Sequence, residues 1–424
     1  MGTSDPDVVV VGAGAAGIGA ATTLAGHGLG CVVLEAGDRV GGRAFTDTEA
    51  LGAPFDRGAS WLHEAAANPL TPLARRLGFT LRDEGRRRRR DILLLGGRPA
   101  TEAEHAAHAA ACDAWEAAAE ARAGAGLDMP LAAAVPQAGP WDATVAHWFG
   151  AIINGAEADR TSLLDYVATA LGGQNLQVAE GLGTLVARLA EGLPVMLRTP
   201  VSRIRWDGLG ITVEGPRGVL RARGCIVTAS TGVLAAGGIR FDPALPAPVQ
   251  AAIGGLPLGL LSKVALRAAG ADRLGLPAFA RLARQVEGAA DRPMSWMLWP
   301  FGRGHAIGFI GGEAAWALAR EGPAAAEAYA RAELARYFGP EAVSLAFAPG
   351  AVVTRWAEDP LFLGAYSHAQ PGQAGARAVL AEAALAGGRL RFAGEACHTR
   401  YAGTVGGAWD SGAQAARALA ATLG

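Results

Sequence analysis

The sequence predicts an α/β fold made of two domains, each assembled from separated segments. Three observations predict it. The first sixty residues alternate apolar runs with a glycine-rich turn and an alanine-rich stretch, short strand-like runs return in the middle and at the end, and long alanine-rich segments lie between them. At 424 residues the chain has room for two or three domains of roughly 150 residues. Its 51% hydrophobic and 18% charged content excludes a disordered chain, and a formal net charge of −1 excludes a global field drawing it to nucleic acid or an anionic membrane.

In chain order, VVVV (8–11) reads as a strand, GAGAAG (12–17) as a tight turn opening a helix over 15–26, and CVVLE (31–35) as a second strand. Residues 8–34 carry no charge, a length that raises a membrane span. Seven of them are glycine, and Asp5 and Asp7 stand where an export signal would be basic, so strand, turn, helix and strand is the expectation, with no anchor and no leader. Residues 66–190 are alanine-rich and read as helical, 195–230 return to short strands, 260–375 are mixed and hold most tryptophans, and 390–396 form a strand before a closing helix. One domain is therefore expected from 1–70, 185–262 and 376–424. The other is expected from 71–184 and 263–375, with a helical part at about 100–180.

Cys31, Cys112, Cys225 and Cys397 form no CxxC pair and read as buried thiols of a cytoplasmic protein, with no metal site. Arg86–Arg90 is a basic run flanked by Asp83, Glu84 and Asp91 and reads as a solvated loop or edge. The chain has a single lysine, Lys263, against 37 arginines, a bias that with abundant Ala and Gly fits a GC-rich bacterial genome.

The glycine turn has chemical meaning in its context. Gly12 permits the tight turn, Gly14 lets the backbone approach a pyrophosphate, and Gly17 lets helix and strand pack closely, with phosphate at the helix N-terminus beside Ala15 and Ala16. Glu35 ends the second strand 21 residues after Gly14, where an acid accepts ribose hydroxyls and disfavours a 2′-phosphate. NAD and FAD both remain open on these residues.

The segment that follows, Ala36 and Gly37-Asp-Arg39-Val-Gly41-Gly42-Arg43, resembles the FAD-binding opening of the flavin amine oxidase family, which includes monoamine oxidases, polyamine oxidases and flavin histone demethylases. The resemblance runs on through Gly58-Ala59-Ser60-Trp61-Leu-His63, Thr199-Pro-Val201, Leu261-Ser-Lys263-Val, Trp356 to Tyr366, Gly394-Glu395, and Gly403-Thr404-Val405 to Ala408. It implies a Rossmann-type FAD-binding domain of the amine oxidase kind plus a discontinuous substrate-binding domain, and it places the cofactor-binding residues in these segments. Val201 would meet the adenine through its backbone, Glu395 the pyrophosphate or ribityl chain, and the Val405 N–H the flavin pyrimidine.

The same resemblance implies roles for side chains. Lys263 would hold a water near flavin N5, and a compact ammonium that shifts its pKa is not interchangeable with the guanidinium the chain uses elsewhere. His63 matches polyamine-oxidase-like members and would help deprotonate or orient the amine. Tyr366 matches one wall of an aromatic cage, whereas the opposite wall is Thr404 rather than tyrosine, which implies a wider cavity for long or secondary amines. Ala365 stands where flavinylated members have cysteine, so FAD is expected to be non-covalent.

Glu64 and Glu180 are candidate substrate carboxylates by position, together with Trp61, His63, Tyr366 and Thr404. Trp296, Trp299 and Trp356 are open between cavity lining and core. The expectation is an FAD-dependent oxidase of a small amine, best a polyamine, with O2 as acceptor. Alternatives are an L-amino-acid oxidase, a monoamine oxidase, a desaturase or protoporphyrinogen-type oxidase, and a non-catalytic flavoprotein. No tower-like insertion of a chromatin demethylase is expected, and a homodimer stays open.

Overall fold

Four consecutive valines, Val8–Val11, form the centre of a five-stranded parallel sheet. A strand covered on both faces needs a continuous apolar, β-branched run, and all four are buried. The order across the sheet is Val195–Met196, Cys31–Leu34, Val8–Val11, Gly224–Val227 and Leu390–Phe392, so three distant parts of the sequence build one layer. The computed structural model describes residues 5–83 and 91–424, and the Arg86–Arg90 run lies outside the described residues.

Two helices from opposite ends of the chain pack on this layer, Ala15–Gly26 and Val405–Leu423. Their contact depends on glycine. A Cβ on Gly412 would stand 1.9 Å from the Ala16 carbonyl oxygen, and one on Gly19 would stand 2.6 Å from that of Trp409. The first residues of the two helices, Ala15 and Val405, fall in one apolar cluster. A four-stranded sheet, Gly218–Ala222, Ile211–Gly215, Arg203–Arg205 and Arg240–Asp242, stands beside this lobe.

The second lobe is a seven-stranded sheet in the order Phe347–Val353, Leu261–Ala268, His305–Gly311, Ser295–Leu298, Ala280–Arg284, Asp91–Leu95 and Arg98–Pro99. Its pairs are antiparallel except Ala280–Arg284 with Asp91–Leu95. Because side chains alternate along a strand, the register sorts them onto two faces. Val264, Leu266, Leu282, Trp296 and Leu298 face a core shared with helices Gly312–Glu321, Pro323–Phe338 and Pro340–Ala346. Lys263 pairs with Phe309, and Ala265 with Ile307, Met297 and Arg281 in turn, so these residues share the opposite face. That face is the roof of the site.

Between the lobes in sequence, Glu102–Ala123 starts with a Thr101–Glu104 capping box and buries Trp115 with Leu131, Trp141 and Leu163. The stretch expected to be helical over 66–190 also contains strands, at Leu81–Asp83, Asp91–Leu95 and Leu176–Val178. Two expected domain boundaries fall inside elements, 184/185 in helix Leu182–Leu189 and 262/263 in the strand carrying Lys263. Trp296 and Trp299 are fully buried in the core of the second lobe, which settles them as packing residues. No disulfide joins the four cysteines; Cys225 and Cys397 are buried, and Cys31 and Cys112 half-buried.

Candidate functional site

The turn after Val8–Val11 is built as a cradle. Gly17 sits so close to the preceding strand end that a Cβ there would lie 1.9 Å from the Gly12 carbonyl oxygen. At Gly14, by contrast, a Cβ would meet no heavy atom within 4 Å, so open space lies at the N-terminus of helix Ala15–Gly26. No side chain caps that helix, which leaves the N–H groups of its first turn to a ligand, and an anion is the ligand such a terminus takes. Glu35 closes the cradle by accepting the N–H groups of Ala13 and Gly37, each at 2.7 Å. Both carboxylate oxygens keep further lone pairs for a ribose hydroxyl. Gly41 and Gly42 pack against the same turn, Gly41 donating to Ala13 at 2.8 Å and a Gly42 Cβ falling 3.3 Å from Gly14 Cα. Arg39 lies over the Phe45 ring at 4.1 Å.

A buried ion network ties this cradle to the second lobe. Arg43 donates to Glu395 at 2.9 Å and to the Ala365 carbonyl at 2.8 Å. Glu395 accepts from Ser367 Oγ at 2.6 Å and from Gly403 N at 3.2 Å. Ser367 Oγ in turn accepts from Arg377 at 2.8 Å, and Arg377 grips Asp165 at 2.6 and 2.9 Å. Burial pushes the Glu395 carboxyl up, but Arg43 and Arg377 outweigh it and hold it below the ordinary range. Trp356 is buried and donates from its indole N–H to the Arg57 carbonyl at 3.2 Å. Val201 is buried in the core of the first lobe.

Lys263 is 4% exposed on the roof face. Its ammonium donates to the carbonyls of Asp56 and Gly58 at 2.7 and 2.5 Å and to Ser60 Oγ at 2.6 Å. Rings of Phe55, Trp61 and Phe309 stand at 5.9, 5.9 and 5.7 Å. Burial brings its pKa down to about 8, and the Asp56 carboxylate acts in the opposite direction. Asp56 is anchored by Thr46 Oγ1 at 2.6 Å and by the Leu182 and Gly183 N–H groups at 3.1 and 3.2 Å.

His63 tilts against Trp61 at 6.2 Å, and its Nδ1 lies 3.0 Å from Asn175 Oδ1. An amide oxygen only accepts, so Nδ1 carries the proton and Nε2 keeps its lone pair. Burial lowers the His63 pKa, with Asn175 and then Glu64 opposing, so the ring is neutral at pH 7.

His63, Glu64, Asn68, Thr404 and Tyr401 line one cleft. Glu64 adopts a left-handed backbone (φ 52°) and accepts Gly173 N at 2.6 Å. Glu180 is not in this cleft: its carboxylate holds the Thr80 N–H at 3.0 and 3.2 Å. The Thr404 hydroxyl is committed to the helix cap, accepting Gly407 N at 2.9 Å and donating to Tyr401 O at 2.7 Å. Tyr366 packs its ring beside Gly403, and its hydroxyl donates to the Ile153 carbonyl at 2.9 Å, at the C-terminal end of a π-helix over Trp148–Asn154. Burial pushes its phenol far above the ordinary range, so it is a wall rather than an acid.

Among the residues of this site that were not singled out by sequence are Asp56, Asn175, Arg377 and Tyr401. Asp56 stands two residues before Gly58 and was within reach of the motif, whereas no spacing links Asn175 to His63. Among the described residues, no group of three His, Cys, Asp or Glu can hold a metal ion, and no helix is long and apolar enough to cross a membrane.

The open space at Gly14, the uncapped helix and the Glu35 carboxylate suit a dinucleotide, and the cage around Lys263 suits a redox ring beside it. Comparison with known proteins agrees. The family model described as flavin containing amine oxidoreductase matches residues 15–420. Protein FLOWERING LOCUS D of Arabidopsis thaliana is 29% identical over 99% of this chain, but the chain spans only 56% of that protein. Polyamine oxidase 4 of Oryza sativa subsp. japonica is 30% identical over 97% of this chain and 88% of its own length. Among solved structures, cyclohexylamine oxidase from Brevibacterium oxydans superposes with a TM-score of 0.80 at 25% identity, covering 99% of this chain and 100% of that one. Putrescine oxidase shares the fold at a TM-score of 0.79 and 23% identity, covering 98% and 99%. The chain belongs to the flavin-containing amine oxidoreductase family, with a flavin as its cofactor.

Proposed function

We propose that the protein oxidises a small amine, best a polyamine or other long or secondary amine, to an imine that water then hydrolyses. The observation that carries this reading is that a neutral His63, with its Nε2 lone pair free to accept, and a buried Lys263 both stand beside the Trp61 ring. The cradle of Gly14, Glu35 and Arg43 would hold FAD, which would supply a hydride acceptor for the carbon beside the nitrogen and a route for its electrons, with two protons, to O2 as hydrogen peroxide. An alkylammonium cannot yield hydride until it loses a proton. His63, neutral and held in one tautomer by Asn175, is suited to take that proton.

The Tyr366 ring, fixed through its hydroxyl to the end of the π-helix, gives the amine a rigid apolar wall. Glycine and threonine at 403 and 404, in place of a second ring, leave width for a longer chain. Glu64 shares the His63 cleft and spends one carboxylate oxygen on Gly173, so it has acceptor capacity for a second, charged nitrogen.

A second reading, an amine that also bears a carboxylate, is supported by Arg281. It shares the roof face with Lys263, and its guanidinium stands 5.9 Å from the Trp61 ring. A guanidinium fork is the usual partner of a substrate carboxylate.

Anaerobic bleaching of the bound flavin by spermine, spermidine, acetylated polyamines, putrescine, arylalkylamines and amino acids tests both. Fast bleaching by long polyamines is expected. Bleaching by amino acids alone selects the second reading, and a flavin that no amine bleaches overturns both.

A further inference from the structure

The Lys263 ammonium has three N–H bonds, and the protein itself occupies all three, with Asp56 O, Gly58 O and Ser60 Oγ at 2.7, 2.5 and 2.6 Å. A water gripped by this lysine must displace one of them. The three acceptors are chemically unequal. Two are backbone carbonyls, which accept a hydrogen bond and have no proton to hand on. The third is a hydroxyl, which accepts from Lys263 and still has an O–H of its own. Its own donor bond, to Gly58 O at 3.5 Å, is at the outer limit of a hydrogen bond, and that oxygen already accepts from Lys263. Ser60 is therefore the one contact in the cage through which a proton can leave.

We propose that Ser60 is the proton relay of Lys263, its hydroxyl taking a proton from the ammonium while releasing its own into the site. One Nζ–H bond breaks as an Oγ–H bond forms, and the original Ser60 O–H breaks toward a water in the site. The products are a neutral amine, an intact serine and a hydronium ion passed to solvent, and no electrons move. The relay rests on the amine-oxidation reading, which requires protons to move beside the flavin as hydride and oxygen react.

The surroundings permit this exchange. Burial brings Lys263 down to about 8, so amine and ammonium interchange close to neutral pH. The charged or titratable groups around it are few. The Asp56 carboxylate acts on it directly, Arg303 interacts with that same carboxylate, and Arg281 and His63 flank the Trp61 ring. The Asp56 carboxylate spends its oxygens on Thr46, Leu182 and Gly183, so it favours the ammonium through space without holding one of its protons.

A single lysine makes the test direct. Holoenzyme grown with lysine labelled with ¹³C at Cε gives one signal, whose shift reports the protonation of Nζ. The wild type is expected to titrate with a midpoint near 8, and a midpoint above 10 overturns the relay without any variant. Ser60→Ala is expected to lower the midpoint by at least one unit, because a charge-assisted bond is lost, and Ser60→Thr, which keeps the hydroxyl, to restore it. After reduction by dithionite, oxygen should reoxidise Ser60→Ala at least tenfold more slowly than wild type, with loss of the solvent isotope effect, and Ser60→Thr should recover both. An unmoved midpoint in Ser60→Ala overturns the proposal. So does a moved midpoint with unchanged reoxidation and isotope effect, which makes Ser60 a structural acceptor only. Dithionite keeps these outcomes readable even if no amine bleaches the flavin, a result that sinks the amine reading instead.

Discussion

His63 owes its usefulness as a base to a residue more than a hundred positions away. Asn175 reaches it because strand Trp61–Leu62 pairs with Leu176–Val178, which sets the amide beside the imidazole. The hydrogen bond raises the His63 pKa against burial, so its removal lowers that pKa further. In Asn175→Ala the acid limb of amine-dependent flavin bleaching should therefore move to lower pH, and the apparent KM for the amine should rise several-fold. A profile that superposes on wild type would show that Asn175 does not act through His63. Lys263 was legible in the sequence because one lysine among arginines is a chemical choice. Asn175 was not, because its meaning comes from strand pairing rather than from local spacing, and Asp56, though close to the motif, gains its anchoring from the helix start at Leu182 and Gly183. Glu180 shows the converse: a carboxylate at a plausible position is spent on Thr80, outside the cleft.

Elements were legible where their signal is local. The valine run, the glycine turn and the closing helix each state their conformation within a dozen residues, and each forms as read. Asp91–Leu95 was hidden because a short apolar run has no period of its own. It becomes a strand by pairing with Ala280–Arg284, far along the chain. The seam between helices Ala15–Gly26 and Val405–Leu423 gives an element-scale prediction. A methyl on Gly412 collides with backbone, which cannot rotate away, so Gly412→Ala must push the helices apart. A loss of about 1–3 kcal/mol in unfolding free energy is expected, with weaker retention of FAD on gel filtration. Unchanged flavin content and melting temperature would show that the seam tolerates separation.

At the scale of the molecule, acid should loosen the fold before carboxylates begin to protonate. His305 and His368 are buried, and burial holds each down to about 4, against 6.5 when unfolded. A folded pKa below the unfolded one means the unfolded chain takes up protons that the folded chain refuses. Their contribution is thus complete above pH 6.5 and is lost as pH falls toward 4, by up to about 3 kcal/mol each. Glu395, also held below its ordinary range, adds a loss only below about pH 4.5. Urea midpoints measured from pH 7.5 to 4.5 should decline, and His305→Leu should flatten that decline by about half. An identical slope in the variant would remove His305 from the account.

The glycine seam also sets an order in time. The turn at 12–17 is synthesised nearly four hundred residues before its partner helix, 405–423. The strand that flanks Gly224–Val227 on its outer side, Leu390–Phe392, is late as well. A nascent chain therefore carries a half-built sheet and one wall of its flavin site until residues 390–423 have been made. A complete flavin cradle waits for the later of these two segments.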